Sequence, residues 1–101
     1  MKQLSQLRHE IDQVDTQIVQ LLNERIRIAL LMGRVKARKK TRIYDPGREQ
    51  VVLRKAVAAA QDGPIGEGSV RRIFERVIAE TRRAQRDERG PAIRLVAGRS
   101  G

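Results

Sequence analysis

The sequence contains no cysteine, no tryptophan and one residue each of histidine, tyrosine and phenylalanine. Without cysteine, a disulfide framework, a thiol nucleophile and a thiolate metal site are all excluded. The histidine, His9, lies beside Arg8 on a largely polar sector, where a solvated helix residue is expected rather than a ligand or a base. No cluster of metal ligands is apparent, so we expect neither a metal nor a cofactor.

Long apolar runs are also missing. No segment resembles a transmembrane helix, and the N-terminus turns polar too early for a signal peptide. We therefore expect a cytoplasmic protein with no membrane partner. The length of 101 residues suits one domain, near the lower limit for a chain that forms an adequate core alone.

Positive charge is in clear excess, with 22 Lys and Arg against 12 Asp and Glu and a formal net charge of +10. A solvated surface, nucleic-acid binding and electrostatic steering of a small anionic substrate would each account for it. Charge alone does not decide among the three. The basic residues are scattered over every segment, and only Tyr44 and Phe74 could stack on bases, so nucleic acid is not an expected partner.

Residues 4–40 carry the pattern around which the rest of the chain is organised. Apolar residues recur at alternating three- and four-residue spacings, which predicts an amphipathic helix with a coiled-coil-like seam. At 1.5 Å per residue this helix would span roughly 55 Å, more than two shorter helices can cover. We therefore predict that an antiparallel copy of the chain covers it. The seam consists of Leu4, Leu7, Ile11, Val14, Ile18, Leu21, Ile28, Met32 and Val35.

Three cations on this helix are unusually placed. Arg25 continues the apolar seam, and Lys36 follows 11 residues later, about 20° around the helix and about 16 Å along its axis. These two side chains could converge on one small ligand. Arg8 lies roughly 25 Å from Arg25 and about 100° around the helix, so it cannot serve the same pocket within one chain. In an antiparallel dimer it could reach the partner's pocket.

Two shorter helices are predicted after the first. Asp45 followed by Pro46 is typical of an N-cap and first turn, and predicts a second helix over about 46–60. Ser69 is the expected cap of a third helix over about 70–86. The apolar stripe of this third helix comprises Ile73, Phe74, Val77 and Ile78, and Thr81 and Gln85 lie one turn apart beyond it.

The predicted fold class is therefore all-α, with three helices per chain, one long and two shorter, in an intertwined helical homodimer. Residues 1–86 are predicted to form the helical domain. Residues 87–101 lack periodic apolar positions and are predicted to be a flexible C-terminal tail.

Five motifs occur in a fixed order over residues 4–86. They are Leu7-Arg8 with Ile11 and Asp15; Leu22-x-Glu24-Arg25; Gly33-x-x-Lys36; Asp45-x-x-Arg48-Glu49; and Ile73-Phe74 followed by Thr81 and Gln85. Together they resemble the all-helical chorismate mutases. The resemblance covers the helices but not the tail. Thr81 stands where a serine often occurs in that family, which keeps the hydroxyl group.

The resemblance implies the rearrangement of chorismate to prephenate in aromatic amino-acid biosynthesis. This unimolecular [3,3] shift needs no nucleophile, metal or redox group. Catalysis would consist of conformational restriction of a dianionic substrate and electrostatic stabilisation of its breaking ether oxygen. The resemblance also implies a homodimer with shared active sites, and a partner enzyme of the shikimate pathway is a further expectation.

The resemblance also implies roles for individual residues. Arg8 from the partner chain and Arg25 would bind the two carboxylates of the substrate. Lys36 and Gln85 would donate hydrogen bonds to the ether oxygen.

The remaining implied contacts involve the second and third helices. Glu49, together with the backbone near Asp45, would recognise the ring hydroxyl. Arg48 and Thr81 would complete the contacts to the carboxylates.

Several of these residues also fit a plainer role or a different function. Taken singly, Arg25 could reach solvent by snorkelling, and Lys36 could be an ordinary last-turn cation. An isochorismate pyruvate-lyase would use a similar fold and cation set, although Glu49 argues against it, because those lyases lack an acid at the matching position. A regulatory module that binds another shikimate-pathway enzyme is the alternative from a different class. A basic nucleic-acid binder is disfavoured by the dispersed charge.

Overall fold

The computed structural model describes residues 1–89, which form three α-helices and no strand. They are α1 (Leu4–Arg38), α2 (Pro46–Ala59) and α3 (Glu67–Arg89). The prediction of an all-α chain with one long and two shorter helices is confirmed. Of the predicted tail, residues 87–89 continue α3, and residues 90–101 lie outside the described residues.

The long helix α1 has identifiable signals at both ends. At its start, the Gln3 backbone N–H donates to Oε1 of Gln6, at 2.8 Å. At its end, the basic side chains of Lys36 and Arg38 complement the helix dipole. The chain then leaves the helix at Lys40, whose φ of 55° lies in the left-handed region. The 35 residues of α1 thus form one rod, roughly 52 Å long.

Helix α2 begins as its sequence predicts. The Asp45 carboxylate accepts a hydrogen bond from the Arg48 backbone N–H at 3.0 Å, and Pro46 occupies the first turn, where a missing N–H does no harm. The predicted N-cap is confirmed. Leu53 and Ala56 are the buried residues of this helix.

Helix α3 begins earlier than predicted, so the assignment of Ser69 as its cap is wrong. The first turn already includes Glu67, whose negative charge suits a helix N-terminus, and the Val70 N–H donates to the Gly66 carbonyl at 3.0 Å. The Ser69 hydroxyl instead accepts a hydrogen bond from the Arg72 side chain.

The third helix is the central element of the chain. It packs against both α1 and α2, whereas α1 and α2 do not pack against each other. Its buried residues are Val70, Ile78, Thr81 and Gln85. Ile73, predicted to lie on the same stripe, is 52% exposed in the single chain. The buried face of α3 thus becomes polar towards its C-terminal end.

Three of the hydrogen-bonded contacts between α1 and α3 share one sequence spacing, and we call these three the α1–α3 ladder. The Arg25 side chain donates to Thr81, Gln85 donates to the Ala29 carbonyl, and Arg89 donates to the Gly33 carbonyl. The two residues of each contact are separated by 56 positions. Successive contacts are therefore one helical turn apart on both helices, which run in the same direction.

The two parts of α1 have different surroundings. Residues 25–38, the packed half, contain the buried Ala29 and Gly33. Residues 4–22, the exposed half, contain no buried residue. In the exposed half, Leu4 and Ile11 keep 62% and 60% of their surface accessible. The other large apolar residues exposed there are Leu7, Val14, Ile18, Val19, Leu21 and Leu22.

Candidate active site

A cavity of about 220 Å³ lies between the packed half of α1, the segment before α2, the first turns of α2 and the C-terminal part of α3. It is large enough for a small organic ligand and has an apolar lining between polar groups. The apolar residues are Ile28, Ala29, Met32, Ile43, Val52 and Ile78.

The structure brings together seven of the eight residues predicted for the site. They come from all three helices and from the segment before α2. Arg8 does not line this cavity; it lies on the exposed half of α1. The seven lining residues are Arg25, Lys36, Asp45, Arg48, Glu49, Thr81 and Gln85.

Arg25 is held in place by Thr81. Its Nη1 donates to the Thr81 hydroxyl oxygen, and that hydroxyl donates its own hydrogen to the Val77 carbonyl at 2.7 Å. Burial, and secondarily the positive charge of Arg48, lower the pKa of the Arg25 guanidinium from its ordinary value. Both causes disfavour the charged form, and the attraction of an anion entering the cavity would offset them.

Lys36 and Arg48 add two further positive charges to the cavity. The Lys36 ammonium makes one long hydrogen bond to the Ile43 carbonyl, at 3.4 Å, which leaves donors for a ligand. Within the described residues, neither Lys36, Arg48 nor Arg25 has a carboxylate within 4 Å. The cavity therefore contains three cations that form no ion pair, and this charge set suits a ligand with more than one negative charge.

Gln85 is 8% exposed and its amide orientation is fixed by the backbone of α1. Its Nε2 donates to the Ala29 carbonyl at 2.7 Å. A carbonyl oxygen can only accept, so the partner must be the NH₂ end of the amide. That NH₂ group has two hydrogens, of which one is used here. The second remains available to a ligand acceptor.

Glu49 and Arg82 form the one cation–carboxylate pair among the described lining residues. The Arg82 Nε lies 3.7 Å from the Glu49 Oε2. The Arg82 guanidinium also lies over the Tyr44 ring, with its carbon 4.9 Å from the ring centroid. Glu49 thus has a partner of opposite charge within the chain, whereas Arg25, Lys36 and Arg48 have none within 4 Å among the described residues.

Sequence reasoning did not assign Arg82 to the site. A signal was present, because Arg82 lies four residues after the buried Ile78 and three before Gln85, on the inward face of α3. The signal was weak because Arg83 and Arg86 follow on the same helix, and nothing in the composition distinguishes one arginine from the others.

Residues 1–89 contain no group of three His, Asp or Glu side chains placed to hold a metal ion. Over the same residues, no helix combines the length and apolar character that crossing a membrane requires.

The chain is similar to several characterised proteins. It is 40% identical over 55 residues to a bifunctional chorismate mutase/prephenate dehydratase from Aquifex aeolicus, a match covering 54% of this chain and 15% of that protein. A protein of the same description from Neisseria gonorrhoeae is 38% identical over 73 residues, covering 72% of this chain and 19% of the relative. The T-protein of Haemophilus influenzae is 30% identical over 81 residues, covering 80% of this chain and 22% of that protein.

These relatives are much longer proteins, and the chain corresponds to less than a quarter of each of the three. The family described as chorismate mutase type II matches residues 7–86, which contain seven described cavity-lining residues of the predicted site as well as Arg8. This match covers most of the sequence, and it identifies the chain as a member of the chorismate mutase type II family.

Proposed function

We propose that the protein is a chorismate mutase, an isomerase that converts chorismate to prephenate in aromatic amino-acid biosynthesis. The observation that carries the proposal is the set of three cations without an ion pair around one small cavity in a member of this family. In the reaction one ether C–O bond breaks and one C–C bond forms through a cyclic shift of electron pairs. No proton transfer is required, so the side chains act by binding and electrostatics.

The positive charges account for recognition of the two substrate carboxylates. Arg25 would bind one of them, with Arg48 completing the contacts from the first turn of α2. Arginine suits this task because its planar guanidinium binds a carboxylate through two parallel hydrogen bonds. Thr81 has given its hydrogen to Val77, so we propose that it acts on the substrate by orienting Arg25.

Lys36 and Gln85 are the proposed donors to the ether oxygen. Negative charge builds on this oxygen as the C–O bond breaks, and donors already in position stabilise it without reorganisation. The hydrogen bond from Gln85 to the Ala29 carbonyl supplies that positioning for the amide. The long contact of Lys36 leaves its ammonium able to turn towards the ligand.

Glu49 is the proposed acceptor for the ring hydroxyl, together with the backbone near Asp45. The Asp45 carboxylate is engaged as the cap of α2, so it holds this segment in place rather than binding ligand directly. Both residues line the cavity beside Arg48.

We further propose that two chains form an intertwined homodimer with shared sites. The exposed half of α1 presents a continuous apolar surface that an antiparallel copy would bury. Arg8 lies on this half, outside the cavity of its own chain, and in such a dimer it would complete the partner's cavity by binding the second carboxylate. This arrangement gives a role to a residue that one chain leaves unused.

Two of the relatives combine chorismate mutase with prephenate dehydratase in their descriptions. On this basis we propose that the protein works beside an enzyme of the shikimate pathway that uses prephenate, in the cytoplasm. Such a partner would shorten the path of the product to the next step.

The test is to incubate the purified protein with chorismate, follow the loss of substrate by absorbance and identify the product by chromatography. Prephenate as the product supports the proposal. In a parallel incubation with isochorismate, release of pyruvate would instead identify a pyruvate-lyase. Binding of chorismate without turnover would favour the regulatory module.

A further inference from the structure

Arg82 differs from the other cations of the cavity. Its Nε lies 3.7 Å from a Glu49 oxygen, whereas within residues 1–89 no carboxylate comes within 4 Å of Arg25, Lys36 or Arg48. Arg82 thus has a carboxylate partner inside the cavity, and the other three cations do not. If Arg82 were simply a fourth cation that binds an anionic substrate, it would not need a carboxylate partner.

The guanidinium of Arg82 also interacts with Tyr44. Its carbon lies over that ring at 4.9 Å from the centroid, within the range of a cation–π interaction. Tyr44 directly precedes the cap of α2, and Glu49 lies in the first turn of that helix. Arg82 therefore connects α3 to the segment that presents Glu49.

The pair between Arg82 and Glu49 is not fully closed. The Arg82 Nε is buried and has no hydrogen-bond partner among the described residues. A charge-assisted hydrogen bond would bring it to about 2.8 Å from the carboxylate oxygen. A small movement of Glu49 would form this bond and satisfy the buried N–H, so the geometry favours a carboxylate drawn towards Arg82.

In a cavity for a dianion, the charge of an unpaired Glu49 would repel the ligand. We propose that Arg82 is a positioning residue, which neutralises and orients Glu49 so that this carboxylate accepts a hydrogen bond from a neutral hydroxyl without repelling the substrate's carboxylates. The inference rests on the proposed function and assigns to Arg82 a part in its specificity.

The first experiment compares Arg82→Gln with the wild type in chorismate turnover. The variant should raise KM between about tenfold and a hundredfold, since like charges a few ångströms apart repel strongly where water is partly excluded. The effect on kcat should be smaller, because Arg82 does not contact the ether oxygen. High salt should reduce the increase in KM.

The decisive variant is the double substitution Arg82→Gln with Glu49→Gln. Removing the carboxylate removes the repulsion, so the KM of the double variant should fall back to that of Glu49→Gln alone. A purely structural role of Arg82 would not produce this rescue. Arg83→Gln is the matched control, because Arg83 is exposed on the next position of α3 and its loss changes the net charge equally.

Arg82→Lys keeps the experiment informative if Arg82→Gln does not fold, since it retains the positive charge. Its KM should stay within about threefold of the wild-type value, because an ammonium group can still balance Glu49. Circular dichroism melting curves of each variant separate loss of fold from loss of binding.

Three results would overturn the inference. The first is a KM of Arg82→Gln equal to that of Arg83→Gln. The second is that the effects of Arg82→Gln and Glu49→Gln on KM multiply independently. The third is a double variant that keeps its raised KM because Arg82 binds the substrate directly. All three presuppose that the wild type turns over chorismate. A wild type that does not convert chorismate would instead overturn the proposed function itself.

Discussion

The two halves of α1 have the same apolar periodicity and different surroundings. In the packed half, small residues at Ala29 and Gly33 face α3 and are buried. In the exposed half, Ile11 and Ile18 face no other described part of the chain and keep 60% and 49% of their surface accessible. One uninterrupted helix thus provides a wall of the cavity at one end and an unpartnered apolar surface at the other.

The size of the side chains separates the two kinds of contact. Ala29 and Gly33 allow the backbone of α1 to accept hydrogen bonds from Gln85 and Arg89, which requires close approach of α3. Large aliphatic residues, as in the exposed half, suit interlocking with side chains of another helix at a greater distance. Periodicity alone identifies a buried face, and side-chain size helps to indicate what kind of partner covers it.

The largest expected effect comes from a charge in the exposed half. Judged from a single chain, Ile11→Glu is a surface change and should alter stability by about 0.5 kcal/mol or less. If a second copy covers Ile11, the substitution buries an unpaired carboxylate and should lower the Tm by more than about 10 °C or prevent dimerisation. Thermal melts at several concentrations measure this, since the Tm of a dimer rises with concentration.

Gln13→Glu is the control for that experiment, because it adds the same charge to an exposed polar position two residues away. It should leave the Tm nearly unchanged. If Ile11→Glu were equally harmless and the wild type sedimented as a folded monomer, the exposed half of α1 would need no second chain to cover it.

A second test asks whether Arg8 of one chain and Arg25 of the other chain contribute to the same active site. Arg8→Ala and Arg25→Ala should each be nearly inactive, because each removes one carboxylate contact from every site. Refolding an equal mixture should restore about a quarter of wild-type activity, since half of the dimers are mixed and each has one intact site. An absence of rescue, with dimers confirmed by sedimentation, would mean that Arg8 does not complete the partner's site.

The packed half can be tested through Gln85. In Gln85→Glu the side chain can donate only while protonated, so activity should fall as pH rises from about 5 to 8. The barrier should increase by up to about 3–4 kcal/mol, as for loss of an oxyanion-hole donor. The ionised form would also face the Ala29 carbonyl, an acceptor, so stability should fall in the same direction.

Measurement of kcat and Tm across that pH range separates the two effects. Gln85→Met is a useful companion, because it has a similar size, no donor and no titration. A flat profile with the wild-type rate for Gln85→Glu would remove Gln85 from the mechanism.

Arg25 should reveal a conflict between stability and activity. Its pKa is lower in the folded chain than in the unfolded chain, so the unfolded state binds the proton more tightly. Stability therefore rises with pH only as pH passes from the folded to the unfolded pKa, far above neutrality, and at pH 7 the unfavourable charge is fully present. Arg25→Leu should abolish activity while raising the Tm by up to roughly 5 °C.

A fall in the Tm of Arg25→Leu would show that the hydrogen bond to Thr81 outweighs the burial of charge. Thr81→Val helps to separate these contributions, because it removes that hydrogen bond and leaves the guanidinium in place.

The smallest effect is expected at Gly33. A Cβ added there would lie 3.5 Å from Cγ of Gln85, which is an ordinary van der Waals distance. Gly33→Ala should therefore fit and gain up to about 1 kcal/mol in helix propensity, which is a rise of a few degrees in Tm. Gly33→Leu, which cannot fit without displacing Gln85, should be destabilising, and the difference between the two variants measures how closely α3 approaches.

Much of this architecture could be predicted from local signals. The apolar spacing predicted α1, and the Asp45-Pro46 pair predicted the start of α2, because both depend on interactions within a few residues. The start of α3 was missed because Ser69 is a good cap in isolation, whereas the helix begins before it at Glu67.

The site was harder to predict in full. The resemblance to a known family supplied the residues that this family shares, and seven of them line the cavity. Arg82 belongs to an arginine-rich stretch, so its selection depends on tertiary position relative to Glu49 and Tyr44. The hydrogen bond from Arg25 to the Thr81 hydroxyl, which itself donates to the Val77 carbonyl, likewise became visible only when α1 and α3 were placed together.

The α1–α3 ladder has a consequence for insertions and deletions. Its contacts all join residues 56 positions apart, so a change of length between α1 and α3 alters this number equally for every contact. The turns after α1 and α2 can therefore vary in length with the ladder intact. One residue inserted between Arg25 and Gly33 would instead rotate the rest of α1 by about 100° and separate the contacts on either side. Natural variation in length should accordingly collect in the turns and avoid this stretch of α1.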